Sequence, residues 1–395
     1  MSESWTTRPL GDLIECLLDH RGRTPKKLGG DWASSGVRVV SAIHIKDGQI
    51  NWAERERYVT PEMYRAWMPE PLRRGDVLLT SEAPLGEVAQ VPSDDDLVLS
   101  QRLFALRGRA NLLDSTFLRY FLESPRGQEE LRRRASGSTV LGIRQSELRK
   151  VSVLGPESVS EQRRVASVLS SLDRLIEVDA RLLSMAEDGL AALFDQAGFD
   201  LDGPTRLDAF VNVNPSYAKP RGAAPYIDMA ALSETSAGIQ RVMVRQASGG
   251  ARFTNGDTLM ARITPCLENG RIGYVDCLPA GEIGVGSTEF IVLRSAEGVP
   301  PAWTYFLARS PRFREYVVRH MSGTSGRQRC PADAVAQYPI TMPDPTALAK
   351  FESIAAPVFA ALPALREEMA SVRSVRSELV PMLMSGEVRV SEVAA

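Results

Sequence analysis

The sequence predicts a mixed α/β (α+β) fold. Two similar globular domains are each followed by a long helix, and the two helices pack as an antiparallel coiled coil about an internal pseudo-twofold axis. Three observations predict this. Six short segments recur in the same order in the two halves of the 395 residues. Each half carries short apolar or alternating runs bounded by Gly and Pro, the pattern of strands. Each half then closes on a stretch whose apolar residues alternate in steps of four and three, a single helical seam.

The repeat can be followed along the chain. Val39–Ile45 corresponds to Tyr226–Leu232, and Ser100–Arg107 to Ser287–Arg294, both 187 residues apart. Arg74-Gly75-Asp76-Val77-Leu78-Leu79 matches Asn255-Gly256-Asp257-Thr258-Leu259-Met260. A proline follows in each (Pro84, Pro265), then a Gly-led strand at Gly86 and at Gly270. Tyr120–Pro125 matches Phe306–Pro311, and Ser136-Gly137-Ser138-Thr139 matches Ser322-Gly323-Thr324-Ser325. Val77–Leu79, Leu103–Leu106, Thr258–Ala261 and Phe290–Leu293 are expected strands. A helix is expected over about Ser115–Arg134 and over Pro301–Met321.

The long helices come next. From Glu161 to Phe194 there is no proline, and Val165, Leu169, Leu172, Ile176, Leu183, Ala186, Leu190 and Leu193 keep the seam. Only Asp179 interrupts it. Glu157, Ser158 and Ser160 suit its start and Gly198 its stop. The second seam runs through Phe351, Ala355, Val358, Leu362, Leu365, Met369, Val372, Leu379 and Leu383, with Arg376 in one slot. Pro357, Pro363 and Pro381 lie inside it, so this helix should be kinked or divided. Gly386 ends it. The resulting boundaries are 1–155 and 201–342 for the globular domains, 156–200 and 343–390 for the helices, and 391–395 for a tail.

Composition narrows the chemistry. Lys+Arg total 47 against 49 Asp+Glu, so the chain has no uniformly basic coat. The charge is uneven, however. Residues 101–150 hold eleven basic and five acidic residues, and 301–330 hold six and one. The same place in both repeats is therefore basic and adjoins a Ser/Thr/Gly loop, which suits phosphate contacts. Only six of the basic residues are lysine, and Arg is the better fork for phosphates and guanine edges. No lysine sits in a phosphate loop, and none has Asp or Glu two positions before it, so ATP and common nuclease sites are not indicated. His20, His44 and His320 lack metal spacing, and Cys16, Cys266, Cys277 and Cys330 form no pair motif, so no metal site is expected. Asn214-Pro215-Ser216-Tyr217 resembles an adenine-gripping methyltransferase loop, but no convincing methyl-donor turn accompanies it. It is read as a turn. No stretch approaches about 18 apolar residues, and no signal peptide opens the chain. A cytoplasmic protein without a membrane partner is expected.

These features together resemble the specificity (S) subunit of type I restriction-modification systems, from Leu10 to about Val390. The residues carrying the resemblance are Arg23-Thr24-Pro25, Gly75-Asp76-Val77-Leu78, Ser136-Gly137-Ser138-Thr139, and above all the helix opening Pro156…Glu161-Gln162-Arg163-Arg164-Val165-Ala166. The second copy of that opening is degenerate: Met342-Pro343-Asp344-Pro345 keeps the proline, while Leu348-Ala349-Lys350 replaces the Glu-Gln region. The resemblance implies a non-catalytic subunit. Each globular unit would be a target-recognition domain reading one half of a bipartite sequence in double-stranded DNA. The helices would fix the spacer and dock two methyltransferase (modification) subunits, with Glu161, Gln162, Arg163 and Arg164 as partner-binding residues. S-adenosylmethionine would belong to those partners and no cofactor to this chain. A restriction (motor and nuclease) subunit can join such a complex.

Candidate DNA-binding residues follow from loop position and side-chain type. In the first domain they are Arg21, Arg23, Thr24, Lys26, Lys27, Lys46, Arg102, Ser138, Thr139 and Arg144. In the second they are Lys219, Arg221, Arg262, Thr264, Asn269, Arg271, Thr324, Ser325, Arg327, Gln328 and Arg329. Two rival readings are a protein-only coiled-coil scaffold and a self-contained DNA adenine methyltransferase.

Overall fold

The computed structural model describes residues 4–52, 55–196, 203–247, 249–324, 326–341 and 344–390. The chain divides into two compact units. One is Met1–Ile176 with Ser371–Ala395, and the other is Glu177–Ala370. Each unit therefore holds one globular region and a segment of both long helices.

In the first unit an antiparallel four-stranded sheet has the order Ile14–Asp19, Leu103–Gly108, Val77–Ser81, Leu85–Gln90. Val77–Ser81 is buried throughout, as are the first five residues of Leu103–Gly108. This is why Val77–Leu79 and Leu103–Leu106 appear in the sequence as unbroken apolar runs rather than alternations. A second sheet holds Tyr58–Val59, Val37–Val40 and Leu97–Leu99, the last two parallel. Strand Trp5–Pro9 pairs with Ser152–Pro156 and closes the region. In the second unit the four-stranded order is Val211–Val213, Phe290–Ser295, Thr258–Ala261, Ile272–Tyr274. A second sheet, also of four strands, pairs Ala223–Ile227 in parallel with Gly284–Gly286, and Thr205–Arg206 pairs with Pro339–Ile340. Taken in chain order, the strands of the sheet that holds Val77–Ser81 and of the sheet that holds Thr258–Ala261 follow the same connectivity.

The expected helices near 115–134 and 301–321 are each two helices. Ser115–Glu123 is followed by Pro125–Arg134, and Pro301–Arg309 by Pro311–Arg319. The cause is local: a residue before proline is driven out of the α region. Ser124 and Ser310 accordingly take extended ψ values of 155° and 142°. Each serine then caps the next helix, its Oγ accepting from the amide of Gly127 or Phe313.

The first long helix runs Val159–Gln196 and the second Pro345–Ser385. Gly198, the expected stop of the first, and Met342-Pro343 lie outside the described residues. The second helix is not divided: it continues through Pro357, Pro363 and Pro381. The seam explains its continuity. Phe351, Ala355, Leu362 and Leu383 are buried on either side of the prolines, so packing offsets the missing amide donors. The same helix corrects the expectation about apolar stretches. An 18-residue window in it, of mean hydropathy 1.4, is apolar enough by length and composition to cross a membrane. Phe351, Ala355, Phe359 and Leu362 of this helix are spent in the core of the second unit. Asp179 does not leave the seam either. It sits in it at 3% exposure, and its Oδ2 has no hydrogen-bond partner.

Within the first unit Val165, Ala166 and Leu169 share a core with Val380, Leu383 and Met384. Arg376 meets Asp173 and bonds Glu123 at 2.7 Å. Within the second unit Phe194 packs edge-on against Phe351, with ring centroids 6.2 Å apart.

Candidate nucleic-acid interface

The Ser/Thr/Gly loop of each unit is a hairpin. Ser136 and Gly142 exchange both backbone hydrogen bonds, at 2.8 and 3.0 Å, and so do Ser322 and Arg329, at 3.0 and 2.9 Å. Gly137 and Gly323 have φ of +120° and +125°, a conformation that L side chains avoid. Each hairpin also bridges to the segment leaving the central strand, at Glu82 and at Ile263. Just beyond, the Ala83–Pro84 and Thr264–Pro265 peptide bonds are cis. The strand end, proline turn and hairpin thus form one edge in each unit.

Several candidates gather on that edge. In the first unit Arg21 stacks on Phe104 and donates to Asp19 at 2.6 and 2.8 Å, while its Nη1 reaches the carbonyl of Ile143. Arg102 lies 3.3 Å from Glu82, Ser138 and Thr139 are exposed on the hairpin tip, and Arg144 is exposed just after it. In the second unit Thr264 Oγ1 accepts from the Gln328 amide at 3.1 Å. Arg329 forks onto Glu289 at 2.6–3.0 Å, holding that carboxyl below the usual range. Arg262 lies beside this edge with its Nε unpartnered. Thr324 and Arg327 are exposed on the tip, and Ser325 lies outside the described residues.

Other candidates sit apart from the hairpins. Arg23 donates to the Trp67 carbonyl, Thr24 caps the short helix Pro25–Leu28, and Lys27 Nζ donates to the Gly22 carbonyl at 2.7 Å. Lys26 is exposed in that helix, Lys46 in a two-strand hairpin, and Lys219 and Arg221 in the loop after Val211–Val213. Asn269 and Arg271 both bond Glu234, at 3.3 and 3.1 Å. The side chains of Lys26, Lys46, Arg144, Lys219, Arg221 and Arg327 form no ion pair or hydrogen bond with a described residue.

Two partner-binding candidates, Glu161 and Gln162, are buried within their own unit. Gln162 is 3% exposed. Its Oε1 accepts from the Asp114 amide at 2.8 Å, and its Nε2 donates to the carbonyls of Leu112 and Pro156 at 3.1 and 2.9 Å. Its polar atoms tie the helix start to its own unit. Glu161 is also buried, and Arg164 Nε donates to it at 2.6 Å. Arg163 remains exposed beside Asp114. The surface the sequence reading missed is a second apolar stripe on the first long helix. Leu175, Val178, Leu182 and Met185 are 38–60% exposed, and their three-four-three spacing could have revealed it.

Two recurring motifs prove structural. Asp76 accepts both Arg107 Nε and Nη2 at 2.8 Å, and Arg107 also reaches Glu70 at 2.7 Å. Arg294 Nε donates to Asp257 at 2.6 Å. The Gly-Asp and Leu-Arg segments therefore pair with each other in both units. Around Asp257 the Asn-Pro-x-Tyr loop is also spent. Asn214 Oδ1 accepts from the Val292 amide at 2.9 Å and Tyr217 donates to Asp257. Burial and the neighbouring carboxylate push the Tyr217 hydroxyl up to about 12.

The family model for the type I restriction modification DNA specificity domain matches residues 2–187. Residues 2–187, nearly half of the chain, are thus similar to that specificity domain. Among curated relatives, the MjaIX specificity subunit of Methanocaldococcus jannaschii is 24% identical over 99% of this chain and 95% of its own length. The EcoAI specificity subunit of Escherichia coli is 34% identical over 24% of this chain. The EcoEI specificity subunit, from the same organism, is 32% identical over 26%. Those two alignments span only 16% and 17% of the relatives' lengths. Among solved structures, a type I restriction-modification S subunit from M. genitalium has a similar fold. Its TM-score is 0.60 at 16% identity, covering 97% of this chain and 96% of that one.

Proposed function

We propose that this protein is the DNA sequence-recognition subunit of a type I restriction-modification complex, itself without catalytic activity. Each globular unit, over 1–155 and 201–342, is a target-recognition domain that reads one half of a bipartite double-stranded DNA sequence. The observation that carries this is the repeated edge: in both units a Gly-fixed hairpin beside a proline turn presents exposed polar tip residues among cations. The phosphate-facing work falls to the unpaired cations, since neutralised phosphates release counterions and supply affinity. Base edges fall to the hairpin residues, held by a rigid sheet.

The two long helices act as an antiparallel coiled coil that holds the half-sequences at a fixed spacing, and the two domains are related by a pseudo-twofold axis. Support comes from the order of contacts. Early residues of one helix share a core with late residues of the other in the first unit, and Phe194 meets Phe351 in the second. Two methyltransferase subunits, which hold S-adenosylmethionine, dock on these helices, and the stripe from Leu175 to Met185 offers one of them an apolar surface. A restriction subunit can join in the cytoplasm.

The test is DNA binding by the chain together with its methyltransferase partner, measured against salt. We expect log affinity for a duplex carrying the methylated motif to fall linearly with log salt. We expect an exchange of residues 1–155 for those of another S subunit to change only one half of the motif. A salt-independent interaction, or a change in both halves, would overturn the reading.

A further inference from the structure

We propose that Val140 and Leu141 determine specificity in the first half-sequence by contacting the 5-methyl group of a thymine in the major groove. The inference rests on the DNA-reading role of this edge and names the chemistry it recognises.

The two side chains stand next to each other at the tip of the Ser136–Gly142 hairpin, 51% and 49% exposed. Single exposed apolar residues are ordinary, whereas contiguous ones call for a reason. The tip is also fixed in shape. A Cβ on Gly137 would lie 2.1 Å from the Val140 carbonyl oxygen, so the turn is built around glycine at that point. Two half-open aliphatic side chains are thus held outward by a constrained loop, without a core to cover them.

The surroundings select the occupant. Arg102 flanks the tip through the Glu82 bridge, Arg21 reaches the Ile143 carbonyl, and the unpaired Arg144 follows two residues after Gly142. An apolar tip inside a cationic rim fits a polyanion whose surface carries isolated apolar groups. On the floor of the DNA major groove the only such group is the thymine methyl. The corresponding hairpin of the second unit differs. Its tip carries Arg327 and Gln328 and, among the described residues, no apolar side chain. Gln328 suits the hydrogen-bonding edge of adenine. The two hairpins therefore stand at equivalent edges and differ in the base chemistry they present.

The experiment uses the full chain with its methyltransferase partner and duplexes carrying its methylated motif. Each thymine of the first half is replaced in turn by deoxyuridine, which removes only the methyl group. We expect one position to lose affinity by about 3- to 10-fold, the scale of one buried methyl. In the Val140→Ser, Leu141→Ser double variant, thymine and uracil duplexes should bind alike, both near the weaker level. Its thermal unfolding should be unchanged, because both residues are exposed. The inference is overturned if no thymine in the first half shows the effect or if the variant keeps it. It is equally overturned if the variant loses its protein partner while keeping the discrimination. In each of those cases salt-dependent binding of the motif would persist, so the DNA-reading role would survive. Absence of any salt-dependent binding would instead remove that role and the inference with it.

Discussion

Gln162 is the residue whose replacement best separates folding from docking. Removing its side chain at Gln162→Ala abolishes three hydrogen bonds and strands the Asp114 amide and the Leu112 and Pro156 carbonyls. A buried backbone group left unpaired costs about 1–3 kcal/mol. Water entering the gap relieves part of this, so a net loss of roughly 3–5 kcal/mol is expected. For a unit of this size that corresponds to a drop of about 6–20 °C in Tm. Gln162→Met, which keeps the volume but not the bonds, should lose nearly as much. The assay is urea unfolding followed by tryptophan fluorescence. Trp5, Trp32, Trp52 and Trp67 share the first unit with Gln162, and a Trp303→Phe background silences the second. Arg163→Ala, at an exposed side chain, should shift stability by less than about 0.5 kcal/mol. If Gln162→Ala left the unfolding midpoint in place while weakening the methyltransferase complex, the glutamine would be a docking contact and the reasoning would be wrong.

Four further outcomes follow from the geometry. Arg107→Met should cost about 3–5 kcal/mol, because it leaves the buried Asp76 without its two-pronged partner; adding Asp76→Leu should recover most of the lost urea midpoint. Asp179→Leu should raise the unfolding free energy by about 1–3 kcal/mol, read as a higher urea midpoint, since its Oδ2 is buried without a partner. Burial, and then the charge of Arg23, pull the His20 imidazole below its ordinary value. A depressed imidazole stabilises the folded chain above its unfolded pKa near 6.5, and that contribution is lost as pH falls through the folded value. The loss of stability on going below pH 6.5 should therefore be shallower in His20→Gln. Finally, one heptad inserted in each long helix adds roughly 10 Å while returning the seam to phase. It should lengthen the methylated motif's spacer by about three base pairs at ~3.4 Å each, and an unchanged spacer in an active complex would show that the helices are not the ruler.

The parts of this fold that were legible in the sequence are those specified locally. Leu259–Ala261 and Val77–Leu79 announce themselves because each residue is buried and apolar. The seams were legible because every seam position, including those held by Asp179 and Arg376, is buried or half-buried. What escaped were relations set by tertiary contact. The Gly-Asp and Leu-Arg motifs were visible as repeats, but nothing local says that Asp76 pairs with Arg107. The Ser-Pro breaks were available in Pro125 and Pro311, yet a continuous helix was expected because the flanking residues favour one. Gln162 looked like a surface signature until three backbone partners were seen to consume it. The Leu175–Met185 stripe was hidden by the stronger seam on the same helix.

The sorting of cations adds a physical division that the sequence could not supply. Arg21, Arg102, Arg271 and Arg329 each hold a carboxylate of their own unit, while Lys26, Lys46, Arg144, Lys219, Arg221 and Arg327 hold none among the described residues. An exposed ion pair is worth about 0–1 kcal/mol, so the paired arginines remain available to a nucleic acid at little cost. Until then the carboxylate fixes the direction of the guanidinium, and a planar fork aimed in advance loses less entropy on meeting a base edge. Unpaired lysines and arginines keep their rotamer freedom and can follow the phosphate backbone wherever it runs. Paired arginines beside the hairpins therefore suit sequence reading, and the free cations suit sequence-independent attraction. Such a division would let one shared backbone plan serve two different half-sequences: the attraction stays common, and only the few fixed side chains at each tip need to differ.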